Sequence, residues 1–140
     1  MDIRPLTPAY AVSPQIAVTD LPAISAAGYK TVLCNRPDHE IPLDCQATAI
    51  RAATEQHGLI FVENPVIHSA MTEEIIALQR QTVEENGPVL AYCASGTRST
   101  VVWMLGYATD TSAEDLLAAA TRGGYQLDHL RPHLDARYQG

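Results

Sequence analysis

The chain has 140 residues, 46% of them hydrophobic, which suffices to bury one sizeable core but not two comfortable ones. Nine Lys and Arg stand against sixteen Asp and Glu, and the net charge of −7 disfavours nucleic acid and anionic membrane surfaces as general partners. Because no signal segment and no apolar run near the roughly 20 residues of a membrane span is visible, we expect a single domain over residues 1–140, located in the cytoplasm, with no membrane partner.

The N-terminal part of the chain predicts extended segments followed by a helix and a strand. Residues 10–12 and 15–17 are expected to form short edge strands, since nearby prolines restrict pairing. A short helix over residues 20–27 should end at Gly28, which tolerates the left-handed conformation of a helix C-terminus. The β-branched and apolar residues 29–35 then predict the first core strand.

The same order of helix and strand recurs further along the chain. Asp44 is expected to cap a helix over residues 45–57, and Gly58 ends it before the apolar strand 59–62. The remaining predicted elements are a helix over 73–86 opened by Thr72, a strand over 88–92, a helix over 97–109, a helix over 113–122 opened by Ser112, and a final helical segment over 125–138.

Alternating strands and helices predict the fold class. Right-handed crossovers would give a three-layer α/β domain, with a mostly parallel sheet covered by helices on both faces. In such sheets the ligand site lies beyond the carboxyl ends of the strands. Three predicted loops, residues 35–43, 63–71 and 93–99, should meet at this edge.

The most chemically informative segment is residues 93–99, Cys-Ala-Ser-Gly-Thr-Arg-Ser, here called the cysteine loop. It follows an apolar strand and precedes an apolar helix, so inward backbone N–H groups and a helix N-terminus would stabilise an anion or a thiolate. Arg98 could also donate a forked pair of hydrogen bonds to an anionic substrate. The predicted site consists of the nucleophile Cys93, the anion receptor Arg98, the hydroxyl of Ser99 as a donor to the sulfur, and the substrate-binding loop residues Ala94, Ser95, Gly96 and Thr97.

The cysteine content suits a free thiol in a reducing compartment. Cys34, Cys45 and Cys93 form an odd set without a C-x-x-C pair, which argues against a disulfide framework or a zinc site. We predict no metal and no other cofactor. The alternative for the cysteine loop itself is a buried cysteine that ends a core strand, with Gly96 in a turn and Arg98 in solvent.

The spacing of the cysteine loop resembles two families. Cysteine phosphatases of the tyrosine and dual-specificity type carry Cys, two residues, Gly, two residues and Arg, usually with His before the Cys. This chain has one residue fewer between Gly96 and Arg98, and it has Tyr92 in the place of that His. Cys-x-x-Gly-x-Arg is instead similar to the loop of rhodanese sulfurtransferases, whose cysteine carries a persulfide.

Outside the loop the chain resembles another family over nearly its whole length. The similarity lies in Ser13-Pro14-Gln15, in Asn35-Arg36-Pro37-Asp38 with Glu40, in Asn64-Pro65-Val66 and in the strand before Cys93. These segments are similar to the beta-lactamase-hydrolase-like phosphatase family. That resemblance implies a dual-specificity-phosphatase-like fold. It also implies a split between phosphatase and sulfurtransferase activity, since some members look like sulfurtransferase domains that work beside persulfide dioxygenases.

Chemistry favours the sulfurtransferase at this stage. Hydrolysis of a phosphate monoester needs a general acid, and the resembled phosphatases usually supply an Asp from the loop before the nucleophile strand. Residues 63–71 contain no Asp, so His68 is the candidate acid, although a loop histidine is more often solvated. Thiolates and sulfite are better leaving groups than alkoxides and have less need of an acid.

The sequence therefore predicts a sulfurtransferase with a Cys93 persulfide, a small anionic sulfur donor and a thiol acceptor, with a functional link to a persulfide dioxygenase as a candidate partnership. The alternative is a phosphatase with a Cys93 thiophosphate, and a third hypothesis is a noncatalytic anion-binding domain. Arg36, together with Asp38 and Glu40, could bind the anionic substrate or brace the cysteine loop, and the competing interpretation is a surface ion pair of under about 1 kcal/mol.

Overall fold

A five-stranded sheet lies at the centre of the structure, a computed structural model that describes residues 1–67 and 71–139. Its order is β1-β2-β5-β3-β4, and only β1 runs antiparallel to its neighbour. This confirms the predicted mostly parallel sheet. The strands are β1 (Arg4–Thr7), β2 (Tyr10–Ser13), β3 (Thr31–Cys34), β4 (Ile60–Glu63) and β5 (Val89–Tyr92).

Helices cover both faces of the sheet and complete the predicted three layers. The helices are α1 (Leu21–Ala26), α2 (Ala47–Gln56), α3 (Glu73–Asn86), α4 (Thr97–Tyr107), α5 (Ala113–Arg122) and α6 (Arg131–Arg137). One core cluster joins α1 and α2 to one face of the sheet, and the other joins α3 to α6 to the opposite face.

The uninterrupted apolar sequence of β5 follows from the position of this strand at the centre of the sheet. Val89 and Ala91 pack in the core on the side of α4 and α5, whereas Leu90 and Tyr92 pack on the side of α1 and α2. A strand buried on both faces has no position for a solvated side chain. Its carboxyl end delivers Cys93 to the edge of the sheet where the ligand site was predicted.

Two helices begin at the predicted capping residues. The hydroxyl of Thr72 accepts from the backbone N–H of Ile75 at 3.2 Å, and the hydroxyl of Ser112 accepts from Asp115 at 3.2 Å. These contacts satisfy N–H groups that the first turn leaves without a helical partner. Within residues 1–67 and 71–139, no helix has the length and apolar character of a membrane span.

The prediction of edge strands near the N-terminus was wrong. Strand β2 (Tyr10–Ser13) lies inside the sheet, between β1 and β5, and residues 15–17 form no strand. The strand at this edge of the sheet is instead β1, which the sequence analysis did not predict as a strand. Its proline at position 5 fits there, because an edge strand tolerates a missing N–H donor.

The predicted cap of α2 was also wrong. Asp44 lies in a separate 3-10 turn, Leu43–Cys45, and α2 begins two residues later than expected. The backbone N–H of Ala47 is satisfied by the carboxylate of Asp38 at 2.9 Å, which reaches the helix from nine residues away. The final predicted helix is likewise shorter, because residues 125–127 are irregular and α6 starts at Arg131.

Candidate active site

The cysteine loop connects β5 to α4, as predicted. Gly96 is the N-cap of α4 and has φ +97°, a conformation that favours glycine. The backbone N–H of Gly96 donates to Cys93 Sγ at 3.1 Å, and Cys93 is fully buried at the base of the loop. A thiolate would thus meet a backbone donor and the positive end of a helix.

The rest of the loop is held by its neighbours in sequence and by β2. The carbonyl of Ala94 accepts from the N–H of Gln15 at 3.3 Å, just beyond the end of β2. The N–H of Thr97 donates to the hydroxyl of Ser95 at 3.4 Å. Of the backbone N–H groups of the cysteine loop that were predicted to point inward, that of Gly96 donates to the sulfur, whereas that of Thr97 donates to the Ser95 hydroxyl.

Arg98 makes a forked ion pair with Glu40. Its Nη2 and Nη1 donate to the two carboxylate oxygens at 2.7 and 3.0 Å, and Nη1 also donates to the carbonyl of Val66 at 2.9 Å. These contacts join the three loops that follow β3, β4 and β5. The solvent-facing arginine of the alternative interpretation is excluded, because the Arg98 side chain is 8% exposed.

A count of donors shows what Arg98 still offers. A guanidinium has five N–H bonds, and the described residues use three of those of Arg98. The other two, one on Nε and one on Nη2, lie along a single edge of the guanidinium. Glu40 thus fixes one edge of the fork and leaves the second edge for an anion.

The electrostatics of this pair are mutual. Arg98 holds the pKa of Glu40 below its usual value, mainly through their hydrogen bonds. Glu40 in turn raises the pKa of Arg98, and the neighbouring Cys93 contributes in the same direction. Glu40 therefore stays ionised at neutral pH and cannot supply a proton to a leaving group.

Replacing Glu40 with Gln should destabilise the fold at neutral pH by about 1–3 kcal/mol, because it leaves a buried guanidinium without its counterion. The folded-state pKa of Glu40 lies below its ordinary 4.5, so the ion pair stabilises above that pH and loses its contribution as pH falls through the lowered pKa. Urea denaturation of both proteins between neutral and acidic pH measures this. Glu84→Gln, in an exposed pair with Arg80, is the control with a smaller expected loss. A difference that stays constant across the range would contradict the prediction.

Arg36 occupies a bracing position. Its Nε and Nη2 donate to the side chain and carbonyl of Glu40 at 3.4 and 3.0 Å, and its Nη1 donates to the side chain of Gln15 at 3.2 Å. Gln15 also holds the loop through Ala94. Arg36 thus connects the two residues that position the cysteine loop and the guanidinium of Arg98.

Ser99 is turned toward a buried polar group rather than toward the predicted sulfur contact. Its hydroxyl accepts from Asn35 Nδ2 at 2.9 Å, and its carbonyl accepts from the hydroxyl of Tyr10 at 2.8 Å. The hydroxyl of Tyr10 accepts in turn from Gln79. Burial holds the pKa of Tyr10 well above its ordinary value, so this hydroxyl remains a donor to the first turn of α4.

Tyr125 contacts the outer side of the cysteine loop. Its hydroxyl donates to the carbonyl of Ser95 at 3.0 Å. A Cβ atom at position 96 would lie 2.0 Å from this hydroxyl, closer than any real contact. Glycine at position 96 is therefore required twice, by its positive φ and by the approach of Tyr125.

Gly96→Ala should destabilise the protein by roughly 2–4 kcal/mol, since it combines an unfavourable φ with a clash against Tyr125. Gly58→Ala is a matched control, because Gly58 also has a positive φ, +74°, but no heavy atom lies within 4 Å of the added Cβ. Urea denaturation of both variants separates the backbone cost from the steric cost. Equal losses in the two variants would show that Tyr125 does not restrict position 96.

The predicted acid cannot be placed, because His68 lies outside the described residues. Glu63, at the end of β4, has its carboxylate 3.6 Å from Arg51 of the neighbouring helix. Cys34 is buried in the core on the α1 and α2 side, and Cys45 lies in a 3-10 turn with partial exposure. In residues 1–67 and 71–139 no three His, Cys, Asp or Glu side chains group as metal ligands.

Three contributors to the site were missed or underestimated in the sequence. Glu40 was considered together with Arg36, as a brace for the cysteine loop or as a surface ion pair, but its contact with Arg98 was not predicted, and Tyr10 and Tyr125 were assigned no role in the site. No local signal identifies them, because their contacts with the cysteine loop span 30 to 89 residues of sequence. Only the meeting of distant elements at the sheet edge reveals their function.

This geometry agrees with the comparisons to known proteins. The family described as "Beta-lactamase hydrolase-like protein, phosphatase-like domain" matches residues 2–110. The chain belongs to this family.

A beta-lactamase hydrolase-like protein of Agrobacterium fabrum is 33% identical over 141 residues, which cover 89% of this chain and 32% of that protein. A relative from Xylella fastidiosa is 32% identical over 111 residues, 79% of this chain and 26% of its own length. The chain thus spans about a third or less of these curated relatives.

Solved phosphatase structures share the fold of this beta-lactamase hydrolase-like phosphatase domain. A candidate phosphatase from Neisseria meningitidis is 31% identical, with a TM-score of 0.85 over 98% of this chain and 99% of its own. The catalytic core of a PP-IP phosphatase from S. cerevisiae has a TM-score of 0.71 at 12% identity, covering 99% of this chain and 85% of its own. The second likeness shows the fold alone.

The recognition of the family and the fold class are thereby confirmed. The chain is a phosphatase-like domain of this family, and it shares its fold with solved phosphatase structures. These findings favour the phosphatase alternative over the sulfurtransferase that loop length and the missing Asp had led us to prefer.

Proposed function

We propose that this domain hydrolyses phosphate esters through a covalent Cys93 thiophosphate. The observation that carries the proposal is the pair of Arg98 N–H groups for which the hydrogen bonds of the described residues provide no acceptor, on a guanidinium that Glu40 holds beside the buried thiol. Two parallel N–H donors match two oxygens of a phosphoryl group, and a guanidinium donates to them with a full positive charge. The backbone N–H of Gly96 and the N-terminus of α4 add further support for negative charge.

In the first step the Cys93 thiolate attacks phosphorus and forms the S–P bond, while the ester P–O bond breaks and the leaving oxygen takes a proton. In the second step water attacks phosphorus, the S–P bond breaks, and inorganic phosphate leaves with the thiolate restored. Arg98 would stabilise the charge on the transferring group in both steps.

The first step requires a side chain that donates a proton to the leaving oxygen. Glu40 is unsuited because Arg98 lowers its pKa, and Glu63 faces Arg51. His68, which follows β4 in the sequence, is the proposed donor. Esters with acidic leaving groups, such as aryl phosphates, have the least need of this proton and are therefore the substrates of choice for a first assay.

Sulfur transfer is the second candidate, and a specific observation favours it. The interval from Cys93 to Arg98 is one residue shorter than in the phosphatases that the loop resembles, and the N–H of Gly96 donates a hydrogen bond to the sulfur at 3.1 Å. A smaller ring suits a single sulfane sulfur. Cys93 would attack the outer sulfur of thiosulfate and release sulfite, and a thiol acceptor, in a reaction coupled to a persulfide dioxygenase, would then take that sulfur.

One experiment separates the candidates. The protein is incubated with an aryl phosphate or with thiosulfate, phosphate release is measured, and the intact mass is taken. Phosphate release that is lost in Cys93→Ser supports the phosphatase. A mass gain of one sulfur atom, also lost in Cys93→Ser, supports the transferase. If neither occurs, the proposed function is wrong and the noncatalytic anion-binding domain remains.

A further inference from the structure

One peptide group of the cysteine loop joins Tyr125 to Cys93. The carbonyl of Ser95 accepts from the Tyr125 hydroxyl at 3.0 Å, and the N–H of Gly96 donates to Cys93 Sγ at 3.1 Å. This carbonyl and this N–H belong to the same planar peptide unit and point in opposite directions. Whatever holds the carbonyl outward therefore also holds the N–H toward the sulfur.

Gly96 makes such a restraint necessary. Rotation of the Ser95–Gly96 peptide changes φ of Gly96, and glycine adopts positive and negative φ with similar ease. A rotated peptide would present its carbonyl oxygen to the sulfur and repel a thiolate. The hydrogen bond from Tyr125 opposes this rotation, and it also polarises the peptide so that its N–H becomes a stronger donor.

Tyr125 is itself firmly placed. Its ring is almost buried and lies 5.2 Å below the guanidinium carbon of Arg4, which donates to the carbonyl of Gly123 at 3.2 Å. The backbone N–H of Tyr125 donates to the carbonyl of Ala120 at 2.9 Å. Burial raises the pKa of Tyr125, so its hydroxyl stays protonated and able to donate at neutral pH.

We propose that Tyr125 is a positioning residue for the nucleophile, which stabilises the Cys93 thiolate by fixing and polarising the Ser95–Gly96 peptide. It touches neither the sulfur nor a substrate in this role. The inference deepens the proposed function, because it concerns the same thiol. Among residues 1–67 and 71–139, the titratable groups that interact electrostatically with Cys93 are Arg98 on α4, Tyr10 on β2 and Tyr125 itself.

The test uses Tyr125→Phe, which removes only the hydroxyl. The rate of Cys93 alkylation by iodoacetamide is followed against pH, with the modified cysteine identified by peptide mass. We expect the midpoint of the pH–rate curve to move upward and the rate at neutral pH to fall about threefold. Tyr107→Phe is the control, because Tyr107 is the last residue of α4, ten residues beyond the start of that helix, and its ring contacts Trp103 and Arg80.

A purely structural role would lower the stability to urea and leave the midpoint unchanged, and that result would overturn the inference. Easier access to the thiol would raise the rate without moving the midpoint, which would also count against it. Arg4→Met provides a second route if Tyr125→Phe folds poorly, since it loosens Tyr125 and should shift the midpoint in the same direction by a smaller amount. Alkylation requires no substrate, so failure of the proposed phosphatase activity is scored separately.

Discussion

Replacing Cys93 with Ser is expected to reduce the hydrolysis of aryl phosphates by ~10³-fold or more, the scale seen when a covalent catalyst loses its nucleophile. The serine hydroxyl fits the same space and accepts the same N–H from Gly96. The serine hydroxyl is not ionised at neutral pH, however, so it is a far weaker nucleophile than the Cys93 thiolate. Steady-state release of the aryl alcohol measures the loss.

Cys45→Ser is the matched control for that substitution. Cys45 is partly exposed in the 3-10 turn beside Gln15, and only its carbonyl contacts that side chain. We expect near-wild-type turnover in this variant. Wild-type turnover of the aryl phosphate in Cys93→Ser would exclude covalent phosphoryl transfer through Cys93.

Arg98→Lys should lower kcat/KM for a phosphate ester by ~10²-fold, although the positive charge is retained. An ammonium is a single point of donation, so it cannot bind both oxygens of Glu40 and also offer two parallel donors to a substrate. Inorganic phosphate should inhibit the variant more weakly for the same reason. Steady-state kinetics and phosphate inhibition check both expectations.

Arg137→Lys is the control because Arg137 makes a comparable forked pair with Glu73, at 2.7 and 3.2 Å, away from the cysteine loop. This variant should keep full activity. The combination of Arg98→Lys with Glu40→Gln should lose less than the sum of the single losses, because both residues act through one contact. Unchanged kcat/KM in Arg98→Lys would show that the free edge of the guanidinium does not bind the substrate.

Local signals in the sequence predicted much of the framework. Thr72 and Ser112 cap their helices as expected, because a capping hydroxyl and its N–H partner lie three residues apart. The alternation of apolar strands and helices likewise predicted three layers and brought Cys93 to the correct edge of the sheet. Each of these features depends on residues close together in the chain.

Where the predictions were wrong, a distant residue supplied what a near one was expected to supply. Asp38 rather than Asp44 satisfies the first turn of α2. Asp44 is of a residue type that commonly caps helices. It lies in the 3-10 turn Leu43–Cys45, however, and α2 begins only at Ala47, so Asp44 is not the N-cap residue. The assignment of β2 as an edge strand failed similarly, because pairing partners are chosen by packing and not by the strand's own residues.

The sequence by itself determined the position of the cysteine loop between β5 and α4, and it predicted Cys93 as nucleophile and Arg98 as anion receptor, since seven consecutive residues carry that chemistry. Two observations, the length of the loop and the absence of an Asp from residues 63–71, favoured sulfur transfer over phosphoryl transfer. The family match and the phosphatase fold now support the other choice.

Only the tertiary structure decided how Arg98 and Cys93 are held. Glu40 approaches Arg98 from 58 residues away, and Tyr125 reaches the loop from 30 residues away. Such contacts form because parallel strands bring their following loops to one edge, where burial rewards pairing of a charge or a polar group. No periodicity or spacing in the sequence predicts which carboxylate or hydroxyl will lie at this edge. These long-range partners decide which N–H groups of Arg98 remain available to a substrate.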